Sequence, residues 1–525
     1  MGGTIHDPSF GGERVRLGID FGTTRCVVAA AHDGRYPVAT FDVDGTFVDY
    51  LPGLVARGPS GPVFGWEAAE VLATNPDAGL RSLKRVVTAA RPDEAVLGFD
   101  ASPLSLVTGF LERLKRAILE ESNLEVGEGE ALEAMVAVPA NASTQQRYLT
   151  LEAFKAAGFV VVGLINEPTA GALDFAHRHL TGNLARSPKR YVVVYDLGGG
   201  TFDVSAVSLR ERRFDLISTE GIGELGGDDF DALILEAALE VLGLGPDDVP
   251  AARRSALLER CREAKETLTP SSRKVLVDLG DLLDDQEPVV LQARDLYARA
   301  EPLTARTLEV LERILDGLGD HDIDPEDPRQ LGAVYLVGGA VAFPPVARAL
   351  RGRFGKKLKL APQPHAATAV GLAIAADPSA KVRVREAVTR CFGVWREAED
   401  GREKVFDPII ERHLAPPESG APLVIERRYR PAHRVGLLRF IECTRIVDGS
   451  PAGDLLPWGE ICFPYDPALA GADLGRDLAT ERTSDVRGEV IEERYTYSAD
   501  GRIAVCIRNV THGYEREYML EGTAG

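Results

Sequence analysis

Cysteine, methionine and tryptophan are scarce in this chain, whose 525 residues hold six, three and three of them. The cysteines (Cys26, Cys261, Cys391, Cys443, Cys462, Cys506) are scattered and form no CxxC pair. Neither a disulfide framework nor a zinc site is suggested, and a reducing cytoplasmic location is expected. Long apolar runs are missing as well. The opening MGGTIHDPSFGGERV is polar and glycine-rich without an apolar core, which speaks against a signal peptide, and no later run suits a membrane span. Positive charge is in deficit: 60 Lys+Arg face 80 Asp+Glu, and the formal net charge of -20 repels nucleic acid and anionic membranes at long range. Neither is expected as a partner.

A chain of this length with 45% hydrophobic residues exceeds what one core organises, so at least two domains are expected. From Val15 to about Ala376, short β-branched strands alternate with amphipathic helices, an α/β pattern. Strands are expected over Val27–Ala31, Ala134–Val138, Tyr191–Tyr195, Val204–Leu209 and Ala333–Val337. Helices are expected over Leu104–Glu121, Gln145–Ala157, Asp228–Leu242, Ala251–Leu268 and Leu303–Leu318. Beyond Ala376 helical periodicity fades into alternating segments, Pro422–Tyr429, Arg434–Cys443, Val490–Tyr497 and Arg502–Arg508. The last two are joined by Ser-Ala-Asp-Gly, a turn sequence. This reads as an all-β module interrupted by two loop-like insertions, Asp448–Glu460 and Pro464–Gly488. The expected layout is a loose tail over 1–15, an α/β domain over 16–378, a linker over 379–390 and a β-sandwich over 391–525.

Two glycine-rich turns, each led by an aspartate after an apolar strand, stand far apart: LGIDFGTT at Leu17–Thr24 and VVVYDLGGGTFD at Val192–Asp203. Glycine lets main-chain N–H groups approach anionic oxygens without a Cβ in the way. An aspartate at a strand end suits hydrated Mg²⁺, which takes oxygen ligands and keeps several waters. Either motif alone also fits an ordinary strand-to-helix turn. Together they imply a nucleotide pinched between two lobes.

The pair resembles the two phosphate motifs of the actin/hexokinase/heat-shock ATPase superfamily, and YDLGGGTFDV is close to the wording in heat shock protein 70 (DnaK-type) chaperones. Further matches follow in order: SLKRVV around Lys84, VPA at Val138–Ala140 before QQR, INEPTAGAL at Ile165–Leu173, LGGDDFD at Leu225–Asp231, CREAKETLT at Cys261–Thr269 and VYLVGGAVAFPPV at Val334–Val346. The resemblance runs from about residue 16 to 376. It implies an actin-like, ribonuclease H-like two-lobed ATPase that binds ATP/ADP with Mg²⁺, and K⁺ as a further candidate ion.

By this resemblance Asp20 and Asp196 hold the Mg²⁺ hydration shell. Gly22, Thr23 and Thr24 form the first phosphate turn, and Gly198, Gly199, Gly200 and Thr201 the second. Lys84 stands at the catalytic lysine, where it would stabilise γ-phosphate charge and orient water; without that context it reads as a solvated helix lysine. Glu167 and Asp203, with Thr201, complete the catalytic set, while Pro139 and Arg147 resemble a pair that relays nucleotide state. On the nucleoside side stand Gly338, Gly339, Lys265 and Thr269. There the chain departs from the family: Ala340 and Ala342 replace a serine and a stacking arginine, and QPHAATA at Gln363–Ala369 replaces a DPDEA-like segment. Each loss is worth on the order of 1–2 kcal/mol, so weaker ATP affinity is expected. Arg25, after Thr24, reads either as added charge beside the phosphates or as a surface arginine.

Residues from about 390 resemble the family's β-sandwich substrate domain chiefly through YSADGRIAVCIRN at Tyr497–Asn509, and a sandwich without a helical lid is expected. The family grips unfolded or extended polypeptide by strand-edge recognition. A docking or structural appendage is the other reading of this module. The linker, SAKVRVREAVTR at Ser379–Arg390, lacks the family's leucine-rich run, which puts interdomain coupling in doubt. The expected function is an ATP-dependent chaperone-like protein of low turnover. A J-domain co-chaperone and a nucleotide exchange factor are implied only by resemblance. The alternatives are a nucleotide-dependent scaffold for a dedicated partner and a small-molecule kinase of the same superfamily.

Overall fold

The computed structural model describes residues 14–84, 95–96, 98–127, 129–180, 188–209, 213–280, 282–283, 287–321, 323–325, 327–384, 388–398, 403–412, 414, 421–471, 474, 488–498 and 502–520. They form two compact units. The first contains the described residues of Met1–Ala90, Glu94–Val138 and Ala153–Val384; the second contains those of Pro139–Glu152 and Arg385–Gly525.

The first unit is α/β, and its two five-stranded sheets are built alike. In one, the antiparallel hairpin Arg14–Phe21 and Arg25–Ala30 is flanked on one side by the parallel strands Ala131–Val138 and Val160–Asn166, and on the other by the antiparallel Leu51–Pro52. In the other, the hairpin Tyr191–Leu197 and Phe202–Ser208 is flanked by the parallel strands Leu331–Val337 and Leu358–Leu360, and by the antiparallel Leu216–Ile222. The central strands are near-continuous apolar runs such as YVVVYDL because helices cover both faces. The second sheet packs with helices Gly227–Leu242, Ala251–Glu266 and Ala293–Asp316 around one large core. That last helix is longer than its sequence pattern suggests, because Pro302 lies within it rather than before it.

Helix Ala367–Ala376 lies against the first hairpin at backbone distance. A Cβ at Gly371 would sit 1.8 Å from the carbonyl oxygen of Ala170, in helix Glu167–His179, and one at Gly18 would sit 2.2 Å from Ala369 O. Only glycine permits that approach.

The second unit holds two antiparallel four-stranded sheets. One contains Cys391–Ala398, Glu403–Ile410, Val435–Val447 and Ser450–Pro464; the other contains Leu423–Tyr429, Ile491–Tyr497, Ile503–Asn509 and Tyr514–Leu520. Their inner faces share a core that includes Phe392, Val394, Phe440, Phe463, Tyr495 and Val505. The stretch Asp448–Glu460 is not a loop-like insertion: it forms the Asp448–Gly449 turn, both at positive φ, and most of a long hairpin arm. Its prolines and glycines hid the strand, and they are accommodated by the register shifts in that ladder. Pro464 ends the arm, residues 475–487 of the other expected insertion lie outside the described residues, and so do 499–501 of the Ser-Ala-Asp-Gly turn. In the linker, Arg383–Val384 pairs in parallel with Arg213–Phe214, while 385–387 lie outside the described residues. All six cysteines are free, although Cys391 and Cys443 face each other across two strands.

Candidate nucleotide site

The two glycine turns connect antiparallel strands, not a strand and a helix, and they close identically. Gly22 N donates to Arg25 O and Gly198 N to Thr201 O, both at 3.0 Å. Asp20 stands opposite Val27 at the end of the first hairpin; Asp196 stands opposite Asp203 in the second. The turns meet: a Cβ at Gly199 would lie 2.5 Å from Cγ2 of Thr24. Gly53 N, donating to Thr24 O at 2.9 Å, props the first turn beside Thr23. The LGGDDFD segment props the second, since Gly227 N and Asp228 N donate to Gly198 O and Gly199 O at 2.9 and 2.7 Å.

Around these turns lie five charged side chains. Lys84 Nζ donates to Glu167 Oε1 at 2.5 Å. Burial, with Glu167 second, pushes Asp20 and Asp203 up to about 7 each. Burial, then Glu167, Asp203 and Asp20, pushes Asp196 well above the carboxylate range. Burial would lower the Lys84 ammonium, but Glu167, Asp20 and Asp196 outweigh it and hold it charged. Four acids thus share one lysine in a desolvated space, an excess of negative charge that a divalent cation relieves. Among the described residues no three acids lie close enough to ligate an ion directly. Asp20 and Asp196, one from each hairpin, have the oxygen chemistry that suits Mg²⁺ held through water.

Gly338, at φ 85, brings its own turn to the cluster, since a Cβ there would sit 2.4 Å from Asp196 Oδ1. Gly339 opens the short 3₁₀ turn Gly339–Ala342, and Gly338 N donates to Pro364 O in the QPHAATA segment at 2.8 Å. Lys265 is almost fully buried, donating to Gly227 O at 2.8 Å and pairing with Asp231 Oδ1 at 2.6 Å. Thr269 is exposed and shares its hydroxyl with Ser271 and Ser272. Arg25 turns from the first glycine turn to Glu266, at 2.8 Å, and stacks on Tyr50 at 4.5 Å. A carboxylate and a ring face hold it there.

In the second unit, Pro139 O accepts from Ala142 N, and Arg147 N donates to Ser143 O early in the helix Thr144–Ala156. Beside them is a buried polar node that the sequence reading did not single out. Glu442 pairs with Arg390 Nε at 2.9 Å and accepts from Trp458 Nε1 at 3.1 Å and Thr144 N at 3.2 Å. A glutamate at an inward position, in step with the apolar Leu438 and Phe440 of strand Val435–Val447, was the available signal.

A model of the Hsp70 protein family matches residues 95–388, more than half of the chain. Among curated proteins the chain is similar to "Chaperone protein HscA homolog" of Azotobacter vinelandii, 32% identical over 383 residues. The proteins of the same name from Pseudomonas putida and Chromobacterium violaceum are 32% and 33% identical over 382 and 386 residues. Each alignment covers 69% of this chain and 58% of the relative, so the chain spans less than two thirds of these relatives' length. The matched family implies an actin-like fold, with which the two alike sheets of the first unit agree. The chain belongs to the Hsp70 family.

Proposed function

We propose that this chain is an ATP-dependent chaperone-type protein that binds ATP or ADP with Mg²⁺ at the paired glycine turns, hydrolyses ATP slowly, and couples that cycle to polypeptide binding by its β module. The observation that carries the reading is the convergence of Asp20, Lys84, Glu167, Asp196 and Asp203 on two turns in contact. Backbone N–H groups of Gly22–Thr24 and Gly198–Thr201 bind and orient the phosphates. Asp20 and Asp196 hold the hydrated Mg²⁺, which neutralises phosphate charge. Lys84, kept charged by Glu167, stabilises the γ-phosphate oxygens, and Glu167 with Asp203 positions the attacking water. Lys265, tethered to Gly227 O, borders the second turn. The domain layout is an actin-like two-lobed ATPase over 16–378, a linker over 379–390 and a substrate-binding sandwich from 391, with Pro139 and Arg147 as relay.

A J-domain protein and an exchange factor would be the partners, in the cytoplasm. Among the described residues no helix is long and apolar enough to cross a membrane. Single-turnover hydrolysis of labelled ATP tests the catalytic part: rates at the uncatalysed background for the wild type would leave a nucleotide-binding scaffold as the reading.

A further inference from the structure

We propose that the β module selects extended polypeptide segments rich in Asp and Glu, through a basic cavity of its own; this deepens, and rests on, the polypeptide-binding reading above. The cavity has a volume of about 1250 Å³ and is open to solvent. Pockets for small molecules typically enclose roughly 300–1,000 Å³, so this one has room for a stretch of chain. It is bounded by strands Cys391–Ala398, Glu403–Ile410, Leu423–Tyr429, Val435–Val447 and Ser450–Pro464.

Its lining carries six fixed cations, Arg396, Lys404, Arg427, Arg428, Arg430 and Arg439, against two carboxylates, Asp407 and Glu460. In a chain of net charge -20 this concentration of positive charge is an exception, and much of it comes from one run, ERRYRPAHR at Glu426–Arg434. Three of the six are spent on the protein's own acids. Arg396 pairs with Asp407 and Glu493 at 2.6 Å each, Arg427 with Asp407 at 3.2 Å, and Arg439 with Glu460 at 2.8 Å. Lys404, Arg428 and Arg430 are exposed and form no ion pair among the described residues, although Arg428 stands opposite Glu492 in the strand register. They are available to a ligand.

The floor is apolar where a ligand can reach it, with Trp395, Leu437 and Ile441 half-buried and Pro457 exposed. An extended chain points successive side chains to opposite sides. A segment alternating apolar and acidic residues could therefore seat the first on this floor and offer the second to guanidinium forks, which match carboxylates bidentately. A long polyanion such as nucleic acid would have to cross the negative field of the remaining surface, so a short acidic stretch of polypeptide fits better.

The test is fluorescence anisotropy of a short labelled peptide with alternating apolar and Glu residues against full-length protein. Two comparison peptides carry Lys or Ser in place of Glu. The expected result is an affinity for the Glu peptide on the order of tenfold above that for the Lys peptide at low salt, with the gap closing as salt screens it. The double variant Arg428→Glu/Arg430→Glu, changed only at exposed positions and checked for folding by circular dichroism, should reverse the order. Equal affinities for all three peptides, unmoved by the reversal, would overturn charge selection while leaving polypeptide binding intact. Absence of binding by any peptide would overturn both readings. Displacement of the Glu peptide by an oligothymidylate of equal charge at equal concentration would reveal a general polyanion site and overturn the proposal as well.

Discussion

Arg390 and Glu442 form an ion pair at 2.9 Å with each side chain only a few per cent exposed. Arg390 also reaches Asp454, at 2.9 Å, and Glu442 is further held by Trp458 and Thr144. Burial holds the Glu442 carboxyl above its usual range even though Arg390 pulls it down. Its proton is therefore bound more tightly folded than unfolded. This group favours the folded state most below its unfolded value, near 4.3, and that contribution fades as pH rises through the higher folded value.

Removing the arginine should expose this directly. Arg390→Met leaves a buried carboxylate without its cation, a loss of about 3–5 kcal/mol near neutral pH. The deficit should shrink at pH 5, because burial, no longer opposed by Arg390, favours the protonated carboxyl as pH falls. Urea denaturation of both proteins at the two pH values measures it; a deficit independent of pH would contradict the account.

The second glycine turn should be sensitive to its support. A Cβ at Gly226 would lie 2.6 Å from Gly199 O and Gly200 N, backbone atoms that can yield only by moving the turn. Gly226→Ala is expected to lower ADP–Mg²⁺ affinity by about tenfold, as one lost hydrogen bond to a charged group would. Equilibrium dialysis with labelled ADP reads the change.

Lys84 should act on the chemistry and not on binding. Lys84→Ala is expected to cut single-turnover hydrolysis by about 10²–10³-fold, the range for losing one electrostatic stabiliser. ATP affinity should stay within a few-fold, because the main-chain turns remain. A rate equal to wild type would remove Lys84 from the catalytic set.

Close backbone packing makes Gly371 a stability position. Its Cβ would fall 1.8 Å from Ala170 O, with no flexible side chain to give way. Gly371→Ala should cost more than about 4 kcal/mol, the exceptional end of single substitutions. Loss of the cooperative thermal transition, or of soluble expression, would show it; an unchanged midpoint would not fit.

Much of the fold was legible because its signals are local. Apolar runs such as Tyr191–Leu197 and the periodicity of Gly227–Leu242 mark elements without reference to anything distant. The acidic cluster could be named residue by residue from Asp20, Asp196 and the flanking motifs. Three things were not legible. The strand Ser450–Pro464 carries two prolines and two glycines inside it, and only the long partner strand reveals it. Arg25 is turned by Glu266, 241 residues away in sequence. Lys265 is tied to Asp231 and Gly227 by a packing of two helices that no single motif encodes.

Titration calorimetry of ADP and ATP with Mg²⁺ into the wild type and the Asp20→Asn/Asp196→Asn double variant tests the central claim most directly. Saturable one-to-one binding by the wild type is expected, weakened at least about tenfold in the variant and less dependent on Mg²⁺. Heats of dilution alone from the wild type, or identical isotherms for the two proteins, would contradict a nucleotide site at the paired turns.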